Sequence, residues 1–200
     1  MIWISRHVKI FTSKKLIFIS FLLLIFVAAG FLISFISRID RFALLKKECQ
    51  VTVEKRIVRG NSLAPLIKEG QEIKAFFGYY KCNEVKRGDV VLYSYAGNEV
   101  PLIKIVKGIP GDSFKLKEVE EVEQDKWQIL INGEVLKNSE GIPYVVSGKR
   151  YEMLSIYERS YKSKIPEDAY LLLGDLPSGT TDSTRFGLIG KQDIPGKVEY

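Results

Sequence analysis

Histidine is almost missing from this chain: among 200 residues it occurs once, as His7. That position lies in the N-terminal tail, so the rest of the chain holds neither a Ser-His-Asp triad nor a histidine-ligated metal site. Cysteine is nearly as scarce. Cys49 and Cys82 stand too far apart for the short paired spacings of a zinc ribbon or a redox Cys-x-x-Cys, and no metal or other cofactor is implied. In an exported domain the two would form one disulfide; in a reducing compartment they would be separate buried thiols, and the sequence is compatible with both. A basic stripe is also lacking. The net charge is +6, but Lys and Arg are scattered among Asp and Glu after residue 50, which argues against nucleic acid as a partner. No internal repeat is present, and the length allows one good-sized domain plus an anchor.

What the chain does have is a long apolar run near its start. From Leu16 to Ile36 the sequence LIFISFLLLIFVAAGFLISFI carries no charge, and about 21 helical residues span the roughly 30 Å hydrocarbon layer. The small residues Val27-Ala28-Ala29-Gly30 imitate a signal-peptide cleavage site. The run nevertheless continues through Phe31 to Ile36, past the usual length of a signal peptide's apolar region. Residues 16–37 therefore read as a retained transmembrane anchor behind a tail, 1–15. Orientation does not follow from charge, because Arg6, Lys9, Lys14 and Lys15 before the run are balanced by Arg38, Arg41, Lys46 and Lys47 after it.

Residues 38–52 read as a charged connector, and 53–200 as the folded domain. Turn signals at Arg87-Gly88-Asp89, Pro110-Gly111-Asp112 and Asn132-Gly133-Glu134 punctuate β-branched stretches. The clearest predicted strands are Val90 to Tyr93, Leu102 to Val106, Trp127 to Ile131 and Tyr170 to Leu173, and no long helical periodicity is visible after residue 52. The aromatic run Phe76-Phe77-Gly78-Tyr79-Tyr80 suits a strand, with a lipid interface as a second use for its rings.

Three segments carry chemistry. In Arg59-Gly60-Asn61-Ser62-Leu63-Ala64-Pro65 a serine follows a glycine turn at the end of a β-like stretch, Val51 to Val58. In Leu102 to Asp112 a lysine, Lys104, interrupts an apolar strand. Period two places it on one face with Leu102 and Val106, where desolvation would favour its neutral, basic form. Lys107, an odd number of positions away, faces the other side and is not expected to be a base. The third segment, Leu173 to Gly187, runs from a strand into a loop dense in hydroxyls and acids. Taken singly, each segment is better read as a surface turn, an edge-strand lysine or a solvated loop.

In this order, however, the segments resemble the blocks of the type I signal peptidase family: Ser-Met-x-Pro, Gly-Asp-x-Val, Lys-Arg-x-x-Gly-x-Pro-Gly-Asp, and Gly-Asp-Asn followed by Asp-Ser-Arg. Ser62-Leu63-Ala64-Pro65, Gly88-Asp89-Val90-Val91, Lys104 to Asp112, and Gly174-Asp175 with Asp182-Ser183 occupy these places. The resemblance implies a mainly antiparallel β catalytic domain behind one N-terminal transmembrane helix. It also implies a membrane-bound serine endopeptidase that removes signal peptides from exported preproteins, acting on the outer side of the cytoplasmic membrane with no cofactor. Ser62 would be the nucleophile and Lys104 its general base. Thr180 falls where the family has a hydroxyl that bonds the base lysine, and Asp182 beside it would support the site. Ile57, Val58, Leu102 and Ile103 would border the substrate.

Departures from the pattern are specific. Leu63 replaces the methionine, Ile105 the arginine after the lysine, Leu176 the asparagine, and Thr184 the arginine of Asp-Ser-Arg, with Arg185 one position late. Gly60 cannot supply a side-chain hydroxyl to an oxyanion hole. These changes, with the short middle of the domain, also resemble peptidases that process pilin subunits in conjugative transfer. A membrane-tethered scaffold with a decayed site is the alternative of another class.

Overall fold

The computed structural model describes residues 13–95, 100–119 and 125–200, so the tail residues 1–12, His7 among them, lie outside the description. The chain divides into two compact units, one ending at Glu48 and the other running from Cys49 to Tyr200. In the first, a single helix, α1, covers Ser13–Glu48. Its stretch Ile19–Arg38 is long and apolar enough to cross a membrane, with none of it buried against protein. The helix continues well past residue 37 into the segment that the sequence suggested as a connector.

The second unit is mainly antiparallel β, as its alternating β-branched stretches require. Its larger sheet contains β1 (Thr52–Ile57), β2 (Glu72–Phe77), β3 (Val90–Tyr93), β4 (Leu102–Gly108), β9 (Ala169–Leu173), β10 (Ile189–Gly190) and β11 (Gly196–Glu199), in the order β1-β2-β11-β3-β4-β9-β10. A smaller sheet is built from β5 (Phe114–Glu118), β6 (Trp127–Ile131), β7 (Glu134–Val135) and β8 (Val145–Val146). The β6–β7 hairpin closes through Asn132 and Gly133, both at positive φ (53° and 84°). This is the two-residue turn that Asn-Gly favours.

Among the described residues, three apolar clusters hold the unit together. Segment 58–67 lies on the larger sheet and buries Val58, Leu63 and Ile67 against Ile73, Ala75, Val90, Leu92, Ile105 and Val198. A second cluster collects Val91, Val106, Tyr170, Leu172 and Ile189. The register pairs Val90 with Ile105, Val91 with Lys104 and Val106 with Leu172, so period two separates these two clusters onto opposite faces of the sheet. The third packs the smaller sheet against Leu171 and Leu173 of β9.

One expectation fails here. A helix of 13 residues, α2 (Gly148–Ser160), follows β8, and a short one, α3 (Ser183–Phe186), follows β9. Only Leu154 and Ser155 of α2 are buried, so no apolar stripe marks it in the sequence. Local contacts hold it instead: Tyr151 stacks on Trp127 at 4.4 Å between ring centroids. The aromatic run also divides, with Phe76 and Phe77 ending β2 and Tyr79 and Tyr80 forming a 3₁₀ turn, Tyr79–Lys81.

Of the two readings left open for the cysteines, the structure has the disulfide: Cys49 is bonded to Cys82, Cα atoms 5.5 Å apart. It closes the chain across a sequence separation of 33, and a loop of that size restricts the unfolded chain by about 3 to 4 kcal/mol. Replacing both cysteines by serine is expected to lower the unfolding free energy by about that amount, measured by denaturant titration of the full chain in detergent under oxidising conditions. The same loss should appear in the unaltered chain after reduction.

Candidate active site

Leu63 and Ile67, 1% and 0% exposed, fix the segment after β1 onto the sheet, and this fixing brings Ser62 up to β4. A buried leucine fills the place of the family's methionine with no loss of apolar character. Lys104 Nζ donates to Ser62 Oγ at 2.9 Å and to the carbonyl of Ile103 at 2.9 Å. Lys104 is itself only 2% exposed and is flanked along its strand by Ile103 and Ile105. Desolvation pushes its amine down from 10.5 to about 8, against the opposing pull of the Asp182 carboxylate. A lysine in this state is partly neutral close to neutral pH, and the neutral amine can accept the proton of the neighbouring hydroxyl.

β9 supplies the rest. It pairs with β4 from Ile105↔Leu173 onward, and one more step of that register sets Gly174 beside Lys104. A side chain at 174 would meet Ser62 O at 2.5 Å and Thr180 Oγ1 at 2.6 Å, so only glycine lets the nucleophile segment approach. The N–H of Asp175 donates to Ser62 O at 2.8 Å. These bonds align the serine backbone with the end of β9.

Asp182 is 1% exposed and well satisfied. Oδ2 accepts from Thr180 Oγ1 at 2.7 Å and Gly174 N at 3.2 Å, and Oδ1 from Thr184 N at 3.0 Å and Thr184 Oγ1 at 2.6 Å. It caps α3 through the Thr184 bond. Thr184 thus binds the acid where the family pattern has an arginine, while Arg185 is exposed. Thr180, expected to bond the lysine, donates to Asp182 instead. Gly60 sits at φ 82° and its N–H is engaged by Glu69 at 3.1 Å. Among the residues read as bordering the substrate, Ile57 is exposed, Leu102 and Ile103 are half-buried, and Val58 is packed into the core.

Sequence reasoning missed a set of residues from the middle of the domain. Ser139 donates to the Asp175 carboxylate, Asn138 Nδ2 to Asp175 O at 3.1 Å, Tyr144 Oη to Gly174 O at 2.7 Å, and Arg150 of α2 to Ser178 O at 2.6 Å. Nothing local marks them, since their partners lie about thirty or more positions away in the chain.

Fold and site together define a β-rich serine peptidase behind an N-terminal apolar helix. The family model described as signal peptidase, peptidase S26, matches residues 15–200, and the chain belongs to that family. Signal peptidase IB of Staphylococcus aureus (strain COL) is 30% identical over 148 residues, covering 72% of this chain and 74% of its own. Signal peptidase I of Bacillus licheniformis is 28% identical over 152 residues, 74% and 75% of the two chains. A crystal structure of a signal peptidase I from Enterococcus faecalis V583 covers 57% of this chain and 97% of its own at 22% identity, with a TM-score of 0.38.

Burial sets the state of Lys104, and this is directly measurable. In protein carrying isotope-labelled lysine, the Lys104 side-chain resonance should titrate near pH 8, well below exposed lysines. Asp182→Asn removes the one charge that raises it, so the midpoint should move lower still.

Proposed function

We propose that the chain removes signal peptides from exported preproteins with Ser62 as nucleophile and Lys104 as general base. The observation that carries this reading is the 2.9 Å contact between Lys104 Nζ and Ser62 Oγ at a lysine 2% exposed. Neutral Lys104 takes the hydroxyl proton as Ser62 Oγ attacks the scissile carbonyl, and returns it to the departing amine as the tetrahedral intermediate collapses to an acyl-enzyme. Water, deprotonated by the same amine, then releases the new carboxylate. With Gly60 N–H already engaged by Glu69 and no side-chain hydroxyl at Gly60, oxyanion stabilisation falls to the backbone N–H of Ser62. Asp182 and Thr180 support the base, the acid through its charge and the threonine by holding the acid in place.

An extended substrate suits the edges beside the dyad. β1 is the terminal strand of the sheet, and β9 pairs with β4 only from Ile105, which leaves the other edge of Leu102 and Ile103 without a strand partner. Proline at 101 is consistent with a strand edge. Ile57, Leu102 and Ile103 would contact the substrate's side chains, and Val58, in the core, would support them from behind.

The Cys49–Cys82 bond supports an outer location for the domain, because disulfides persist in oxidising compartments. It weighs toward the outer side, where the flanking charges are balanced. The lipid surface is the remaining partner in this reading. Val53 pairs with Phe76, and Lys55 with Lys74, on the face of β1 and β2 opposite Ile73 and Ala75. Phe76, Val53 and the lysines suit an anionic interface, whereas Phe77 packs toward the core.

Ser62→Ala should abolish cleavage of a preprotein by the full chain in detergent or vesicles, and Lys104→Arg should do the same, because a guanidinium stays charged. For the unaltered enzyme kcat/KM should rise with pH through a midpoint near 8 and level off above it, since the neutral amine is the active form. Cleavage by Ser62→Ala at the wild-type rate would end this reading. Orientation is tested separately: protease added to spheroplasts should digest residues 53–200, and complete protection would place the domain inside.

A further inference from the structure

Lys107 stands two residues beyond Ile105, at an irregularity where β4 pairs with β9 at Val106 and again at Gly108. The step that separates it from Lys104 turns it to the opposite face. There its Nζ lies 5.3 Å from the Tyr144 ring centroid and donates to Lys137 O at 3.0 Å. Burial pushes its amine below the ordinary lysine range, against the opposing pull of the buried Asp175 carboxylate.

Asp175 joins this group to the nucleophile. Its carboxylate accepts from the backbone N–H of Ser139 at 2.9 Å and from the Ser139 hydroxyl, while its own N–H holds Ser62 O at 2.8 Å. Tyr144, whose ring faces Lys107, donates its hydroxyl to Gly174 O at 2.7 Å. A buried carboxylate needs hydrogen-bond partners. Here they come from Ser139, and the segment 137–144 that carries it also holds Lys107 through Lys137 O and the Tyr144 ring.

We propose that Lys107, Ser139 and Tyr144 are positioning residues that hold the Gly174–Asp175 turn and, through the Asp175 N–H, set the place of Ser62 relative to Lys104. This rests on Ser62 and Lys104 being the catalytic pair. Lys107 thereby has a function distinct from that of a base, and the segment between β7 and β8 becomes part of the active-site frame. Displacements of about 1 Å at a reacting group cost on the order of a hundredfold in rate. Loosening the turn should therefore act on the chemical step and leave substrate binding in place.

The test uses the full-length enzyme and a preprotein substrate, with Ser139→Ala, Tyr144→Phe and Lys107→Met, each normalised to the sites titrated by a serine-acylating reagent. Each variant should lose about tenfold or more in kcat per titrated site with KM little changed, the pattern of an interaction realised in the transition state. Ser139→Thr, which keeps the hydroxyl at an exposed position, should recover most of the rate. In Ser139→Ala and Tyr144→Phe, which remove no charge, the midpoint of the ascending pH limb should stay that of the unaltered enzyme. A group with only a stabilising role would lower the number of titratable sites and leave kcat per site untouched, and that result in all three variants overturns the proposal. If Ser62→Ala is dead and the three variants cleave at the wild-type rate per site, this inference alone falls; if Ser62→Ala cleaves, the catalytic reading beneath it falls first.

Discussion

A dry lysine amine in contact with a serine hydroxyl is the constraint around which this domain is organised. An ammonium ion removed from water is costly, and the cost is reduced either by an opposing charge or by loss of the proton. At Lys104 both routes are present in part. Asp182 pulls the proton on, the surrounding aliphatic side chains push it off, and the balance falls near neutrality. A stronger ion pair would quench the amine as a base, and a wetter site would restore an ordinary lysine.

That balance explains how the acid is held. Asp182 spends both oxygens on four donors from Gly174, Thr180 and Thr184, so its charge is fixed in place and partly satisfied. Thr184 makes two of those bonds without adding a positive charge. An arginine in that position would compete with Lys104 for the field of the acid, and its replacement leaves the lysine as a cation on which Asp182 acts. Local changes that looked like damage in the sequence are mutually compatible in the fold.

The apolar helix and the disulfide both sit at the entrance to the catalytic domain. A helix with an apolar stretch at Ile19–Arg38 leads into Cys49, the first residue of the folded unit, and that residue is covalently tied to Cys82 beyond β2. The edge strand β1 begins three residues after the tie and runs directly into the nucleophile segment. Restraining its entrance limits fraying of a strand that has a neighbour on only one side.

The strands and the apolar helix were legible in the sequence because their signals are local, whereas Ser62 and Lys104 stood out only through the order of the blocks that contain them. Short apolar runs between turn signals mark β3, β4, β6 and β9, Asn-Gly marks the hairpin, an uncharged run marks the helix, and a lysine interrupting an apolar strand is conspicuous. Period two also suggested that Lys104 and Lys107 face opposite sides, although at the irregularity after Val106 it is the contacts of Lys107 with Lys137 and Tyr144 that place it. Helix α2 was not legible, since side-chain contacts with Trp127 and the loop at Ser178 hold it more than any apolar stripe does. The partners of Thr180 and Asp175, and the choice between a disulfide and two thiols, depended on atoms brought together from distant positions. Sequence by itself determined which residues could do chemistry and which stretches could be strands; only the tertiary structure decided which hydroxyl meets which acid, because a hydrogen bond is set by distances of a few tenths of an ångström that no spacing along the chain encodes.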